Sequence, residues 1–307
     1  MPLDYVVFMP GRAYSLAEMV EVPDAYDNEG TFMMTVVMSR QANIPTLLWS
    51  LISPEVDIIP RRQVMPVDVT QTEHHQMMLR TMLSSQMVAS GLAMRYSGYE
   101  VQELGEGVLV LSFAEYTYSD RYLEVGDVIV WANGEAISLQ PSLTLALAET
   151  SPGDIVEFRV LREGEYYDFS FELVPRLDDP EVGAIGIMAT TYGWNLELPF
   201  DIEVDTQNIG GTSAGLMMTL EIMNQLSEDD LTRGRIIAGS GSINFLGSVG
   251  NVAGVRQKVA GAIANNAEFF LIPSGNADEA RAAARGSIVI IVVDTLDEAL
   301  EFLRGIG

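Results

Sequence analysis

The pattern of apolar and polar residues divides the chain into three parts. In the first part, apolar side chains recur at helical spacing between residues 70 and 96, which predicts one long helix packed on a core. Residues 32–37 have the composition of a strand, whereas Pro54 and Pro60 predict a loop over residues 53–62. Residues 1–98 are therefore predicted to form an N-terminal α/β region.

Short strands dominate the second part, residues 99–176. Apolar runs of strand length occur at residues 108–111, 128–132 and 155–161, and residues 167–173 alternate apolar with polar side chains. Glu163 and Gly164 are placed as the turn of a hairpin. With one short predicted helix at residues 141–150, this part is expected to be a small β-rich domain.

The third part, residues 177–307, follows a polar, proline-containing segment and alternates helices with strands. Residues 213–226 and 255–265 have helical periodicity. Residues 269–272 and 288–293 are continuous apolar runs, which is typical of buried parallel strands. Thr295 with Glu298 predicts the start of a last helix. The fold class is therefore expected to be α+β and multidomain.

Composition narrows the possible functions. The chain has 17 Lys and Arg against 43 Asp and Glu, a formal charge of −26, which disfavours binding of nucleic acid through a broad basic face. A hydrophobic content of 48% excludes disorder of the whole chain. Because the chain has no cysteine, it can form no disulfide, no thiolate zinc site and no cysteine nucleophile.

A candidate nucleophile lies in the glycine-rich sequence GGTSAG, residues 210–215, just before a predicted helix. Backbone amides at a helix start can hold an oxyanion, so Ser213 could attack a carbonyl group there. The alternative is that Ser213 only caps the helix or makes a packing contact. The same residues fit the G-x-S-x-G pattern of α/β-hydrolases, but His74 and His75 precede Ser213, which is the wrong order for that triad.

A lysine can replace histidine as the base if burial lowers its pKa. The chain contains few lysines, and Lys258 has valine, alanine and glycine neighbours in a predicted helix. The alternative is that Lys258 extends its ammonium group to the solvent from an apolar stretch.

These motifs together resemble a known family. The sequence GGTSAG resembles the serine motif of Lon-type proteases, and residues 238–243 with 247–258 resemble their lysine motif. Residues 126–129 with Asn133 and Gly134 resemble the core signature of a PDZ domain. In this order the motifs are similar to those of bacterial PDZ domain-containing Lon-like serine proteases.

The resemblance implies a β-sandwich-like PDZ domain at residues 99–176 and a Lon-type α/β proteolytic domain at residues 177–307. It also implies an ATP-independent serine endopeptidase with a Ser–Lys dyad, needing no cofactor and no metal ion. Ser213 would be the nucleophile and Lys258 the general base. Ser240 stands where the family usually has threonine, whose hydroxyl helps to position the lysine.

Three more residues would support the dyad or the oxyanion: Gly210, Gly211 and Thr212. Thr212 replaces the more usual proline, and Gly210 stands where ATP-dependent Lon enzymes have aspartate. The sequence has no G-x-x-x-x-G-K-[ST] motif and hence no P-loop ATPase. We therefore expect the substrates to be polypeptides that are already unfolded or extended.

The PDZ resemblance suggests a loop that binds the carboxylate of a C-terminal peptide. We place it, with the strand that follows, at Leu104, Gly105, Glu106, Gly107 and Val108. Glu106 would be unfavourable beside a carboxylate. The alternative function for the whole chain is a catalytically silent PDZ scaffold that recruits the C-terminal tails of partner proteins.

The family also supplies expectations about partners and location. Its members usually face the outside of the bacterial cytoplasmic membrane on a single N-terminal anchor, which this chain would lack. Lon-type domains often assemble into rings, so a homo-oligomer is expected, and no nucleic acid is.

Overall fold

A computed structural model describes residues 4–50, 52–65, 69–115, 117–176 and 179–306. It contains two compact units. The smaller unit spans Gln102–Glu197, and the larger unit combines the two ends of the chain, Met1–Val101 and Leu198–Gly307. The smaller unit is therefore inserted in the sequence of the larger one.

Before the insertion, the described residues form strands and helices of the larger unit. They are β1 (Tyr5–Ser15), β2 (Val20–Glu21), β3 (Thr31–Gln41), α1 (Ile44–Ser50), β4 (Asp57–Pro60), α2 (Arg61–Val64) and α3 (Gln71–Tyr96). Helix α3 begins as predicted, with a capping box between Thr70 and Glu73. The predicted loop at residues 53–62 is wrong in part, because it contains β4. Pro60 is tolerated there because it ends a strand at the edge of the sheet.

The inserted unit consists mainly of short strands. They are β5 (Gln102–Leu104), β6 (Gly107–Phe113), β7 (Val128–Ala132), β8 (Glu135–Ala136), β9 (Ile155–Arg162), β10 (Glu165–Glu172), β11 (Val174–Pro175), β12 (Gly183–Ala184), β13 (Ile187–Tyr192) and β14 (Asn195–Glu197), with helix α4 (Gln140–Ala146) between β8 and β9. The main antiparallel sheet has the order β10-β9-β7-β6-β13. Glu163 and Gly164 both have positive φ, so they form the predicted hairpin turn.

The smaller unit extends further than residues 99–176. Strand β13 pairs with β6 and β14 pairs with β5, so the chain returns to this unit after residue 176 and leaves it at Glu197. Residues 177 and 178, where the predicted boundary falls, lie outside the described residues.

After the insertion, the chain returns to the larger unit. Its elements are β15 (Glu203–Val204), α5 (Gly215–Gln225), β16 (Ile236–Gly239), β17 (Ser242–Ile243), β18 (Val249–Gly250), α6 (Val255–Ala264), β19 (Phe269–Ile272), α7 (Ala277–Ala284), β20 (Val289–Val292) and α8 (Leu296–Gly305). None of the helices in the described part of the chain is long and apolar enough to cross a membrane.

One mixed sheet joins both ends of the chain, in the order β20-β19-β16-β3-β1-β4. Strands β3, β16, β19 and β20 are parallel, whereas β1 and β4 are antiparallel to their neighbours. The segments predicted as an N-terminal region and a separate C-terminal domain thus share this sheet. The reason is long-range pairing of β3 with β16, which nothing in the local pattern indicates.

Helices cover both faces of the sheet, as its parallel half requires. On one face, Met33, Ala238 and Phe270 pack against α6 and α7. On the other face α5 lies so close that a side chain at Gly239 would collide with Met217. Helix α3 packs against α5. The start of α5 lies at the carboxyl end of β16, where the Leu216 N–H donates to the Gly241 carbonyl, and Lys258 near the start of α6 contacts Ser240 at the same end.

Candidate active site

Ser213 lies in the turn that leads into α5, after Gly211, whose φ of +101° strongly favours glycine. The serine is half-buried, and its main chain is fixed to the end of β16. Its carbonyl oxygen accepts hydrogen bonds from the Gly241 N–H (2.9 Å) and from the Ser240 hydroxyl (3.0 Å). The position of Ser213 is thus set by the central sheet.

Ser240 is the first residue after β16 and is 1% exposed. Its N–H donates to the Leu271 carbonyl of β19 at 2.9 Å, which continues the parallel pairing of the sheet. Ser240 therefore presents its hydroxyl from a rigid position beside Ser213.

Lys258 lies in the first turns of α6, after Gly254, which precedes the helix with a φ of +70°. Its Nζ donates to the Ser213 Oγ and to the Ser240 Oγ, both at 2.7 Å. The lysine is 4% exposed, and burial lowers its pKa to about 7. It is also the only lysine in the sequence; the other sixteen basic residues in the count of 17 are arginines. The structure thus brings together the three residues that the two motifs suggested.

This geometry allows nucleophilic chemistry. A lysine with the ordinary pKa of roughly 10.4 would be neutral in about 0.04% of molecules at pH 7. With its pKa lowered to about 7, Lys258 is neutral in about half of them. A neutral amine within hydrogen-bond distance of a serine hydroxyl can accept its proton while the oxygen attacks a carbonyl carbon.

The start of α6 is held by residues that the sequence did not suggest. The buried Gln257 side chain donates to the Glu55 carbonyl and to the Asp57 carboxylate, both at 2.9 Å. Arg256 makes an ion pair with the same carboxylate at 3.0 Å. These contacts were missed because β4, which carries Asp57, was predicted to be a loop.

The glycines before Ser213 have roles different from those expected. The Gly211 N–H donates to the Met78 carbonyl of α3 at 2.9 Å, so this amide is not free to bind an oxyanion. Gly210 packs so tightly on Met78 that a Cβ would lie 2.7 Å from the Met78 Cβ. Both glycines therefore allow α3 to approach the serine turn.

Two other amides remain for an oxyanion. In the described part of the chain, the N–H groups of Ser213 and Ala214 have no acceptor, and they stand at the positive end of the α5 dipole. Thr212 is exposed, and its carbonyl accepts from the Ser85 hydroxyl at 3.4 Å. His74 and His75 lie in the first turn of α3 and make no hydrogen bond to Ser213 in the described chain.

In the smaller unit, the predicted carboxylate loop is used internally. The Glu106 N–H donates to the Tyr192 carbonyl at 2.8 Å, and the Gly107 N–H donates to the Ser138 carbonyl at 3.1 Å. Leu104 pairs with Asn195 of β14, and Val108 pairs with Thr191 of β13. Gly105 is enclosed by the same elements. The amides of Glu106 and Gly107 are therefore not free to bind a peptide carboxylate.

A groove lies elsewhere in this unit, beside the open edge of its main sheet. It has a volume of about 350 Å³ and lies between α4 and the segment from β12 to β13. Leu143 and Leu147 line it from α4, and Ile185, Ile187 and Ala189 line it from the other side. Strand β13 is the last strand of its sheet, and Gly186, with a φ of +73°, precedes it. The sequence Ile-Gly-Ile at residues 185–187 lines this groove, but sequence analysis did not consider it for the smaller domain because it follows the predicted domain boundary.

Comparison with known proteins identifies the smaller unit. The family model for the PDZ domain matches residues 96–173. These residues form a PDZ domain. The match ends before β12 and β13, so one wall of the groove lies beyond it in the sequence. None of the curated proteins matches the chain.

Two solved PDZ domains are similar to this part of the chain. The PDZ domain of the SdrC-like protein from Listeria monocytogenes has 20% identity, with 27% of this chain and 87% of that chain covered and a TM-score of 0.25. The PDZ domain of the SdrC-like protein from Listeria innocua has 23% identity, with 27% and 92% covered and a TM-score of 0.25.

Proposed function

We propose that this protein is an ATP-independent serine endopeptidase of Lon type, with Ser213 as the nucleophile and Lys258 as the general base. One observation carries the proposal: the only lysine of the sequence is buried, and its Nζ lies 2.7 Å from the Ser213 Oγ. Lys258 has no carboxylate partner among the described residues, so its burial is costly, and an acid–base role would explain its presence.

The proposed reaction proceeds through an acyl-enzyme. Neutral Lys258 accepts the Ser213 proton as the Oγ attacks the scissile carbonyl carbon, and the Ser213 and Ala214 amides stabilise the oxyanion. The C–N bond then breaks, and the leaving amine takes the proton from Lys258. Water hydrolyses the resulting ester by the same route. Ser240 accepts a hydrogen bond from Nζ and keeps the amine directed at Ser213.

In this proposal the PDZ domain delivers the substrate. PDZ domains bind peptides as an added strand on a sheet edge, and the β13–α4 groove offers such an edge. Without a P-loop motif in the sequence, substrates would be unfolded or extended polypeptides. The family resemblance extends the proposal to a ring-shaped homo-oligomer at the extracytoplasmic face of the bacterial membrane, which light scattering and cell fractionation would test.

Peptidase activity is tested with an unfolded protein substrate and four proteins: wild type, Ser213→Ala, Lys258→Met and the control Ser84→Ala, which changes an exposed serine. We expect both dyad variants to lose about 10³-fold or more of the rate, and the control to keep it. A serine-directed phosphonate should label Ser213 alone. Absence of cleavage and of labelling, together with peptide binding to the PDZ domain, would support the silent scaffold instead.

A further inference from the structure

A short apolar helix is exposed at one end of the sheet of the larger unit. In α1 no side chain is buried; Ile44 is 57% exposed, Leu48 59% and Trp49 45%, and Ile52 just beyond the helix is 80% exposed. Isolated exposed apolar residues are common, but a contiguous group of large ones indicates a surface that is covered in use.

The same end of the sheet carries a basic cavity. The strand register places Arg40 opposite Val7 and Pro60 opposite Tyr5, so Arg40 and Arg61 lie at the end from which α1 starts. A cavity of about 290 Å³ there is lined by both arginines and by His74. Arg61 is held in place through a hydrogen bond from its guanidinium to the Val69 carbonyl.

The basic character of this end stands out in a chain with a charge of −26. The acidic side chains near this end include the exposed Asp4 and Glu55, and Asp57 and Glu73. Asp57 is paired with Arg256, and Glu73 accepts the hydrogen bonds of the Thr70 capping box. In the described part of the chain, none of these carboxylates forms an ion pair with Arg40 or Arg61.

We propose that this end, the α1 face (Ile44, Leu48, Trp49, Ile52, Arg40 and Arg61), docks on an anionic lipid surface. The apolar side chains of α1 would enter the boundary between headgroups and acyl chains, where tryptophan is favoured. The arginines would bind lipid phosphates, and the rest of the acidic protein would stay in the solvent. A second copy of the chain fits less well, because two molecules of charge −26 repel each other and the arginines would face each other's basic cavity.

Co-sedimentation with vesicles tests this proposal, using phosphatidylglycerol mixed with phosphatidylcholine against phosphatidylcholine alone. We expect binding to the anionic vesicles that weakens with salt. Arg40→Gln and Arg61→Gln should each reduce the partition coefficient about fivefold, and Trp49→Ser about tenfold. The matched controls are Arg233→Gln and Leu246→Ser, which change exposed residues outside the α1 face and should bind like wild type. Circular dichroism melts verify that each variant is folded.

Three results would overturn the proposal. The first is wild-type protein that stays in the supernatant with anionic vesicles. The second is binding to neutral vesicles that equals binding to anionic ones. The third is an oligomer in light scattering that Trp49→Ser dissociates while vesicles bind neither protein, which would assign the α1 face to a second copy. The test does not depend on Ser213, so its outcome is separate from that of the proposed peptidase activity.

Discussion

Protonation of Lys258 is the perturbation that tests the candidate active site most directly. Burial lowers its pKa from the ordinary 10.5 to about 7. The difference of about 3.5 pH units, at roughly 1.4 kcal/mol for each unit, means that the folded protein disfavours the ammonium form by roughly 5 kcal/mol. The rate of cleavage should therefore rise about tenfold per pH unit below pH 7 and level off above it.

The single lysine makes the pKa measurable without assignment. In protein labelled with carbon-13 at the lysine ε-carbon, one side-chain resonance reports on Lys258. We expect its titration midpoint near 7, and the same midpoint in the pH profile of kcat/KM. A midpoint close to 10.4 would refute the account of a dry, neutral amine, because it would mean that solvent reaches the Nζ in the folded protein.

Stability should report the same effect with a defined sign. The folded pKa lies below the unfolded one, so between about pH 7 and 10.5 the unfolded chain binds more protons and stability rises with pH. Below pH 7 the penalty is complete. Lys258→Met removes it, so its advantage over wild type in urea denaturation should grow by about 4 to 5 kcal/mol from pH 10.5 to 7. An advantage that does not change with pH would contradict the burial argument.

Three further predictions concern neighbouring features. Ser240→Ala removes one acceptor of the Lys258 Nζ, so it should lower kcat about tenfold and move the midpoint of the pH profile to lower pH. Ser240→Thr keeps the hydroxyl and should have the wild-type kcat and midpoint. An unchanged profile in Ser240→Ala would exclude a positioning role for Ser240. Gly211→Ala places a side chain on a residue with φ of +101° and should lower the free energy of unfolding in urea by about 1–2 kcal/mol. The control Gly305→Ala, where a Cβ meets open space, should not lower it. Equal stabilities of the two variants would mean that the turn at Gly211 adapts to a side chain. Thr144→Tyr should block the β13–α4 groove and weaken binding of C-terminal peptides about tenfold or more in fluorescence anisotropy, whereas Leu145→Tyr on the outer side of α4 and Glu106→Ala should leave binding unchanged. Tighter binding in Glu106→Ala, with no change in Thr144→Tyr, would return the site to the predicted loop, because it would mean that a carboxylate repels the peptide terminus there.

Sequence reasoning succeeded where the signal is local. Strand β19 has the predicted bounds of residues 269–272, and the last helix begins after Thr295, whose hydroxyl accepts from the Glu298 N–H. The Glu298 carboxylate accepts from the Asp294 N–H rather than from Thr295, a detail of loop geometry that the motif does not contain. Ser213 and Lys258 were paired through a family motif, because a separation of 45 residues carries no local signal of contact.

Sequence reasoning failed where partners come from distant parts of the chain. The glycines at 105 and 107 satisfy the composition of a carboxylate loop, but the amides of Glu106 and Gly107 already have acceptors in Tyr192 and Ser138. Strand β13 belongs to the sheet only through β6, about 80 residues earlier. The amide of Gly211 likewise donates to the Met78 carbonyl of α3. This contact depends on how α3 packs against the serine turn, which the local sequence does not indicate.

The PDZ domain is inserted in the sequence of the larger unit, so two chain segments connect the two units. Tyr99, before the insertion, and Phe200, after it, hold their rings edge to face at 5.2 Å, and Gln102 pairs with Glu197 just inside it. The two segments that connect the units in the sequence therefore lie next to each other. A different peptide-binding domain, or a short linker from residue 101 to residue 198, could therefore replace the PDZ domain without changing the strand order of the central sheet. If the proposed function holds, peptide recognition could then be changed without changing the residues around Ser213 and Lys258.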